Sequence, residues 1–310
     1  MRCAKKLWRA RKGLITRKRR ERHCGFMRRC MKVSGFTIVR NAVKFNYPAV
    51  ESIRSILPIC DEFIVNVGES EDETLDVIQS IGSEKIRIVE NEWDMSQKSR
   101  VLSYQTNLAL DACRGDWAFY LQSDEVIHED DLGKIKEAMV RYQDDPAVDA
   151  LRFQWLHFYG SYYRYRIDQG WYQKQDRIIR NNGMIESVGD AYAFARKDGQ
   201  GLRRQNTGCF VYHYGWVQPQ EVMARRRANA EVIGFVSLAE NERDAKYSYG
   251  DLSRFPVYFG THPQVMEERI AAHPLSVEDK RSIDRKYWWF PAKWFRARYK
   301  TGRRVKEKIT

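Results

Sequence analysis

Between Met31 and about residue 145 the chain alternates short apolar runs with amphipathic segments, and few folds tolerate that alternation. Val33-Ser34-Gly35-Phe36-Thr37-Ile38-Val39 reads as a buried strand bounded by the polar pair Arg40-Asn41. Pro48 stands at a first helical position, and Val50, Ile53, Ile56 and Leu57 follow on one face. Phe63 to Val67 and Ile86 to Val89 supply a second and a third strand. Between them Ser70-Glu71-Asp72-Glu73 has the form of a capping box, opening a helix striped by Leu75, Ile78 and Ile81. Ser99 to Cys113 reads as a helix stopped by Gly115, Trp117 to Leu121 as a fourth strand, and 130–143 as a further helix. The spacing predicts an α/β chain with a doubly wound, mostly parallel sheet, in which ligands sit beyond the carboxyl ends of the strands. Those ends carry Arg40-Asn41, Gly68 to Asp72, and Gln122-Ser123-Asp124-Glu125.

From about residue 148 the pattern changes. Phe153 to Tyr165 is dense in aromatics, 176–216 offers strand-like pieces, and Gln218-Pro219 opens a helix running to about 232. A mixed second half closing over the first is expected. Four segments follow: a basic, disordered extension over 1–30, halves over 31–145 and 146–279, and a basic aromatic tail over 280–310. The net charge of +13 divides unevenly, with +12 in residues 1–30 and +10 in 280–310, so 31–279 carries −9. An acidic body with basic ends argues against a nucleic-acid binder driven by charge, and no nucleic-acid partner is expected. There is no run of 18 apolar residues and no apolar segment after the basic start, so neither a spanning helix nor a secretory signal is read. Six cysteines without close pairs make no disulfide framework, and a cytosolic setting is the default.

The sharpest local feature is Leu121-Gln122-Ser123-Asp124-Glu125, an apolar strand ending in acids. A carboxylate fixed there can hold a divalent cation, and the cation a diphosphate; the plain alternative is a solvated loop. GxGxxG after the first strand, GxxxxGK[ST] and GxSxG are all absent. Taken in order, Phe36 to Asn41, Ser70-Glu71-Asp72-Glu73-Thr74, Thr106 to Trp117 and Leu121 to Glu125 resemble a family-2 glycosyltransferase. The resemblance implies the GT-A fold and a nucleotide-diphosphate sugar donor. It implies that Val39, Arg40 and Asn41 line the nucleotide site. Asp72 matches the acid of the S-x-D-x-T turn, and Asn107 the Asn of R-N-x-G. Asp124 matches the second acid of D-x-D, Gln122 stands for the first, and Ser123 lies between them. Val67 and Gly68 replace the Asp pair that reads the nucleobase in many relatives.

Transfer needs a base for the acceptor hydroxyl, which the resemblance places in the second half. Asp190 is the first choice, with Asp176 and Glu186 as alternatives. His213, beside aromatics near a strand end, either joins Asp124 on a Mn²⁺ or Mg²⁺ ion or belongs to an aromatic wall. The aromatics Trp155 to Tyr172 are either a sugar platform or core, and Arg177 and Arg180 either face a diphosphate or pair with body acids. The reading is an inverting transfer to a glycan or lipid-linked acceptor, in glycan or cell-envelope polysaccharide synthesis. The alternatives are a nucleotidyltransferase of the same fold and a non-catalytic nucleic-acid binder. Seven aromatics interleaved with cations over Tyr287–Lys300 point to an anionic membrane surface, with packing on the catalytic domain as the alternative.

Overall fold

The computed structural model describes residues 30–166, 170–234, 236–239 and 246–273. The chain divides into two compact units, Met1–Met31 and Lys32–Thr310, and every described helix and strand belongs to the second. The arm expected over 1–30, Cys30 apart, and the tail expected over 280–310 lie outside the described residues.

The first half follows the predicted alternation: β1 (Val33–Val39), α1 (Ala49–Ile56), β2 (Glu62–Gly68), α2 (Thr74–Gln79), β3 (Ile86–Asn91), α3 (Val101–Asp111), β4 (Trp117–Tyr120), β5 (Glu125–Ile127) and α4 (Leu132–Tyr142). β1 lies between β2 and β4, parallel to both, and β3 runs parallel along the outer side of β2. All seven residues of β1 are buried, as a central strand covered on both faces requires. On one side Phe36 and Ile38 pack with Ala109 and Leu110 of α3. α1 buries Ile53 and Ile56 and leaves Arg54 exposed, the stripe that its apolar spacing predicts.

One local expectation fails. α2 begins at Thr74, and Ser70 does not cap it. The Ser70 hydroxyl donates to the Gly68 carbonyl at 2.9 Å and accepts the Asn41 N–H at 3.0 Å. Asp72, two residues on, accepts the Thr74 N–H at 3.1 Å and the Thr74 hydroxyl, while the N-cap position falls to Glu73, whose side chain caps nothing. Short polar side chains that find backbone partners in a turn compete with the helix for those residues.

The second half comprises β6 (Ala150–Tyr159), β7 (Tyr165–Arg166), β8 (Lys174–Arg180), β9 (Ile185–Val188), β10 (Ala193–Arg196), β11 (Arg204–Trp216), α5 (Gln220–Val232) and α6 (Glu267–Ala271). The main sheet has the order β3-β2-β1-β4-β8-β6-β11-β5, with β7 beside β6, while β9 and β10 form a separate hairpin. β8 runs antiparallel to both β4 and β6, β6 is parallel to β11, and β11 is antiparallel to β5. The fold is therefore α/β, with four parallel strands, β1 to β4, continued by a mixed region in one sheet. Between β4 and β5 the chain crosses from the middle of the sheet to its edge. Leu121 to Asp124 make that crossing, so the acid motif lies over the sheet's end instead of trailing from one strand.

Candidate functional site

Asp124 is 8% exposed and is met by two side chains from the far end of the chain. His213, on β11, places Nε2 3.6 Å from Asp124 Oδ2. Arg226, on α5, places Nη2 3.3 Å from the same oxygen. Gly215 makes this approach possible: a Cβ there would overlap Asp124 Oδ2 and stand 2.7 Å from His213 Nε2. Burial works to raise the Asp124 carboxyl, but the adjacent His213 and Arg226 outweigh it and hold the group well below the usual carboxylate range. Asp124 is thus an anion in a confined place.

A second histidine orients the first. His157 and His213 are register partners on β6 and β11, with their Nδ1 atoms 3.0 Å apart. His157 Nε2 stands 2.8 Å from the Tyr172 carbonyl oxygen, which can only accept, so Nε2 carries a proton. Burial, and then the charge of His213, push His157 down to about 3, so it is neutral at pH 7 and its Nδ1 accepts. His213 therefore donates from Nδ1 and presents Nε2 to Asp124. Such a partner behind the ring is what fixes the tautomer of a metal-ligating histidine. Ligands on an octahedral Mg²⁺ with bonds of 2.0–2.1 Å stand about 3 Å apart, close to the spacing found here. Among the described residues no group of three or more His, Cys, Asp or Glu could hold a metal ion. The pair suits a cation that takes its remaining ligands from phosphate and water.

The residues expected to line the donor site make much of the loop framework. The Asn41 side chain accepts the Glu71 N–H at 2.8 Å, and Asp72 accepts the Lys44 N–H at 2.6 Å, so the loops after β1 and β2 are tied together. Arg40 donates to the Glu69 carbonyl at 2.8 Å, and Val39 is the buried last residue of β1. The Ser123 hydroxyl donates to the Ile38 carbonyl at 2.9 Å. Gln122 donates from its side chain to the Ala191 carbonyl at 3.2 Å, which joins the crossing segment to the β9–β10 turn.

That turn carries Asp190. Gly189 (φ 66°) and Ala191 (φ 63°) flank it in the left-handed region, and Asp190 is exposed at the tip. Asn107 on α3 holds the hairpin close to its turn by a reciprocal pair with Ser187, donating to its carbonyl at 3.1 Å and accepting its N–H at 2.7 Å. Burial pushes the Tyr172 phenol well above its ordinary range, and the charges of Glu125, Asp124 and Asp190 add to the shift. The Gln122 bond to the Ala191 carbonyl brings the turn that carries Asp190 beside the segment that carries Asp124.

The alternatives to Asp190 are placed differently. Asp176 is buried and clasped by Arg152 at 2.9 Å and Arg204 at 2.7 Å. Glu186 sits within β9, opposite Ala195. Arg177 does not face a diphosphate; it is fully buried with Glu125, in bonds of 2.7 and 2.8 Å, and lies over the Trp155 ring at 4.5 Å. Arg180 donates to carbonyls of the loop after α4 and covers Trp117. Of the aromatics, Phe158, Tyr162 and Tyr165 join Tyr212, Tyr214 and Tyr258 in a core cluster, while Trp171 and Tyr172 are half-buried. Arg226 went unseen in the sequence, since it lies 102 residues from Asp124 and no local spacing marks it, while His157 is read there only as a member of the aromatic run.

Asp124 and His213 thus meet beyond the carboxyl end of an α/β sheet, the place where such sheets bind their ligands. The family model for Glycosyl transferase family 2 matches residues 36–216, and the chain belongs to that family. It is a glycosyltransferase with the GT-A fold. Among solved structures, the chain is similar to S. aureus TarS 1–349 in complex with UDP at 17% identity, covering 69% of each chain with a TM-score of 0.41. It is similar also to glucosyl-3-phosphoglycerate synthase from Mycobacterium tuberculosis, in complex with Mn²⁺, UDP-glucose and phosphoglyceric acid. That match has 17% identity, covers 41% of this chain and 44% of the other, and has a TM-score of 0.30. No curated protein sequence matches the chain.

Proposed function

We propose that the chain transfers a sugar from a nucleotide-diphosphate donor to an acceptor hydroxyl with inversion at the anomeric carbon. The observation that carries the reading is the pairing of Asp124 and His213 at 3.6 Å over the sheet end, with exposed Asp190 braced alongside. Asp190 accepts the hydroxyl proton as the acceptor oxygen bonds to the anomeric carbon. The bond from that carbon to the donor's phosphate oxygen breaks on the opposite face, and nucleoside diphosphate leaves. Asp124 and His213 would hold a Mn²⁺ or Mg²⁺ ion, which when bound neutralises charge on the departing diphosphate. The bonds of Asn107 to Ser187 and of Gln122 to the Ala191 carbonyl brace the hairpin that carries Asp190, and a braced base supports this reading. The acceptor in this proposal is a glycan or a lipid-linked molecule, in glycan or cell-envelope polysaccharide synthesis.

A panel of nucleotide-sugars, with and without Mn²⁺ or Mg²⁺, tests this directly. One donor should bind and hydrolyse slowly to nucleoside diphosphate, and the added cation should strengthen both. Release of pyrophosphate would instead identify a nucleotidyltransferase, and silence towards every donor would sink the reading. No described helix is long and apolar enough to cross a membrane. We propose peripheral attachment from the cytoplasmic side through Tyr287–Lys300, whose cations and aromatics suit an anionic leaflet. Sedimentation should show salt-sensitive binding to anionic vesicles that is lost on truncation at Asp279. Equal recovery in the supernatant with anionic and neutral lipid would overturn it.

A further inference from the structure

We infer that Arg226 is the counter-charge that holds Asp124 while no donor is bound and yields it to the cation when a donor diphosphate arrives, so that cation and nucleotide bind interdependently. The inference rests on the metal reading of Asp124 and His213 given above. Its basis is a conflict over one atom. Asp124 Oδ2 faces His213 Nε2 at 3.6 Å and Arg226 Nη2 at 3.3 Å. A cation held between that oxygen and His213 would stand beside a guanidinium that never loses its charge. A divalent cation and a guanidinium on one carboxylate oxygen repel each other, and an anion that enters beside them relieves that repulsion; a diphosphate is such an anion.

Arg226 is also tethered in a way that permits the exchange. Its guanidinium lies over the Tyr47 ring at 4.4 Å and donates to the Gly215 carbonyl. Tyr47 belongs to the loop following β1, the loop that Asp72 and Asn41 tie down at the sheet's carboxyl end. The flat cation can therefore stay on the ring while its fork turns from Asp124 towards a phosphate oxygen at the same edge. Arg177 is not an alternative for this task, being bound bidentately to Glu125. By linkage, whatever factor the diphosphate adds to cation affinity, the cation adds to diphosphate affinity.

Loss of the free Mn²⁺ electron-paramagnetic signal measures cation uptake by the full chain without any turnover. Arg226→Gln should bind Mn²⁺ alone at least about tenfold more tightly than the native chain. Addition of UDP or GDP, whichever binds, should raise Mn²⁺ affinity in the native chain and raise it much less in Arg226→Gln. Arg226→Lys, which keeps the charge, should bind Mn²⁺ alone as weakly as the native chain. Arg226→Met, which keeps the stem against Tyr47, repeats the neutral test should Arg226→Gln fold poorly. If the neutral variants match the native chain in Mn²⁺ affinity while Asp124→Asn has lost it, the latch is overturned and the metal reading stands. If Asp124→Asn binds Mn²⁺ as the native chain does, the metal reading falls and takes the latch with it.

Discussion

Asp190→Asn is expected to bind the donor as the native chain does and to transfer its sugar at least about 10²-fold more slowly. The substitution is nearly isosteric and sits at an exposed hairpin tip, so the fold should not register it. The bonds that hold the hairpin run through the Ser187 backbone, the Ala191 carbonyl and the Tyr192 carbonyl, and none uses the Asp190 carboxylate. What the amide removes is the site for the acceptor's proton, which matters only as the new bond forms. A defect confined to kcat, with unchanged donor affinity, is the signature of that role. Asp176→Asn supplies the contrast. Its carboxylate joins Arg152 and Arg204 across three strands, so its loss should appear first as lost stability. Full transfer by Asp190→Asn, measured by nucleoside diphosphate release with donor and acceptor saturating, would remove Asp190 from the mechanism.

How far the sequence foretold this site depends on the range of the interaction concerned. Strand and helix periods are local, and β1 to β4 with α1 and α3 lie where the apolar spacing puts them. β5 is three residues long, too short to show a period, and its pairing with β11 is set by residues more than eighty positions away. Without it the acid motif looks like a loop trailing from β4, when it is a bridge to the sheet's edge. The hairpin turn was visible in Gly189-Asp190, because a left-handed backbone position calls for glycine; Ala191 at φ 63° was not. α5 is polar along most of its length and buries only Val222 and Met223, so nothing in its pattern singles out Arg226 among Arg225, Arg226 and Arg227. The same holds for Arg177. A cation next to Asp176 in sequence reads as a candidate for phosphate, and only the bulge between β6 and β8 turns it inward to Glu125. Ser70 misled for the opposite reason, a strong local signal overruled by a neighbouring loop.

Arg177→Met is expected to lower stability by about 3–5 kcal/mol, the cost of leaving one member of a buried ion pair without its partner. Both Arg177 and Glu125 are fully buried, and the arginine donates twice to the carboxylate at 2.7 and 2.8 Å. Burial alone would lower the Arg177 pKa, yet the facing Glu125 charge carries it above the ordinary arginine value, so the pair exists as ions. With the guanidinium gone, Glu125 keeps the Gln122 N–H at 3.1 Å and must otherwise take up a proton or unfold its surroundings. In a domain of this size the melting temperature should fall by about 6–20 °C. Adding Glu125→Gln to Arg177→Met should recover a large part of the loss, since the double variant buries no lone charge. The pair has a second task that the cycle separates from the first. Glu125 follows Asp124 directly, and Arg177 also donates to the Tyr192 carbonyl at 3.0 Å, so one side chain joins the segment of Asp124 to the hairpin of Asp190. Stability restored in the double variant, with transfer still depressed at a temperature where it is fully folded, is the expected pattern. Recovery of both together would make the pair a matter of stability alone, and a loss below about 1 kcal/mol in Arg177→Met would contradict the burial that the argument starts from.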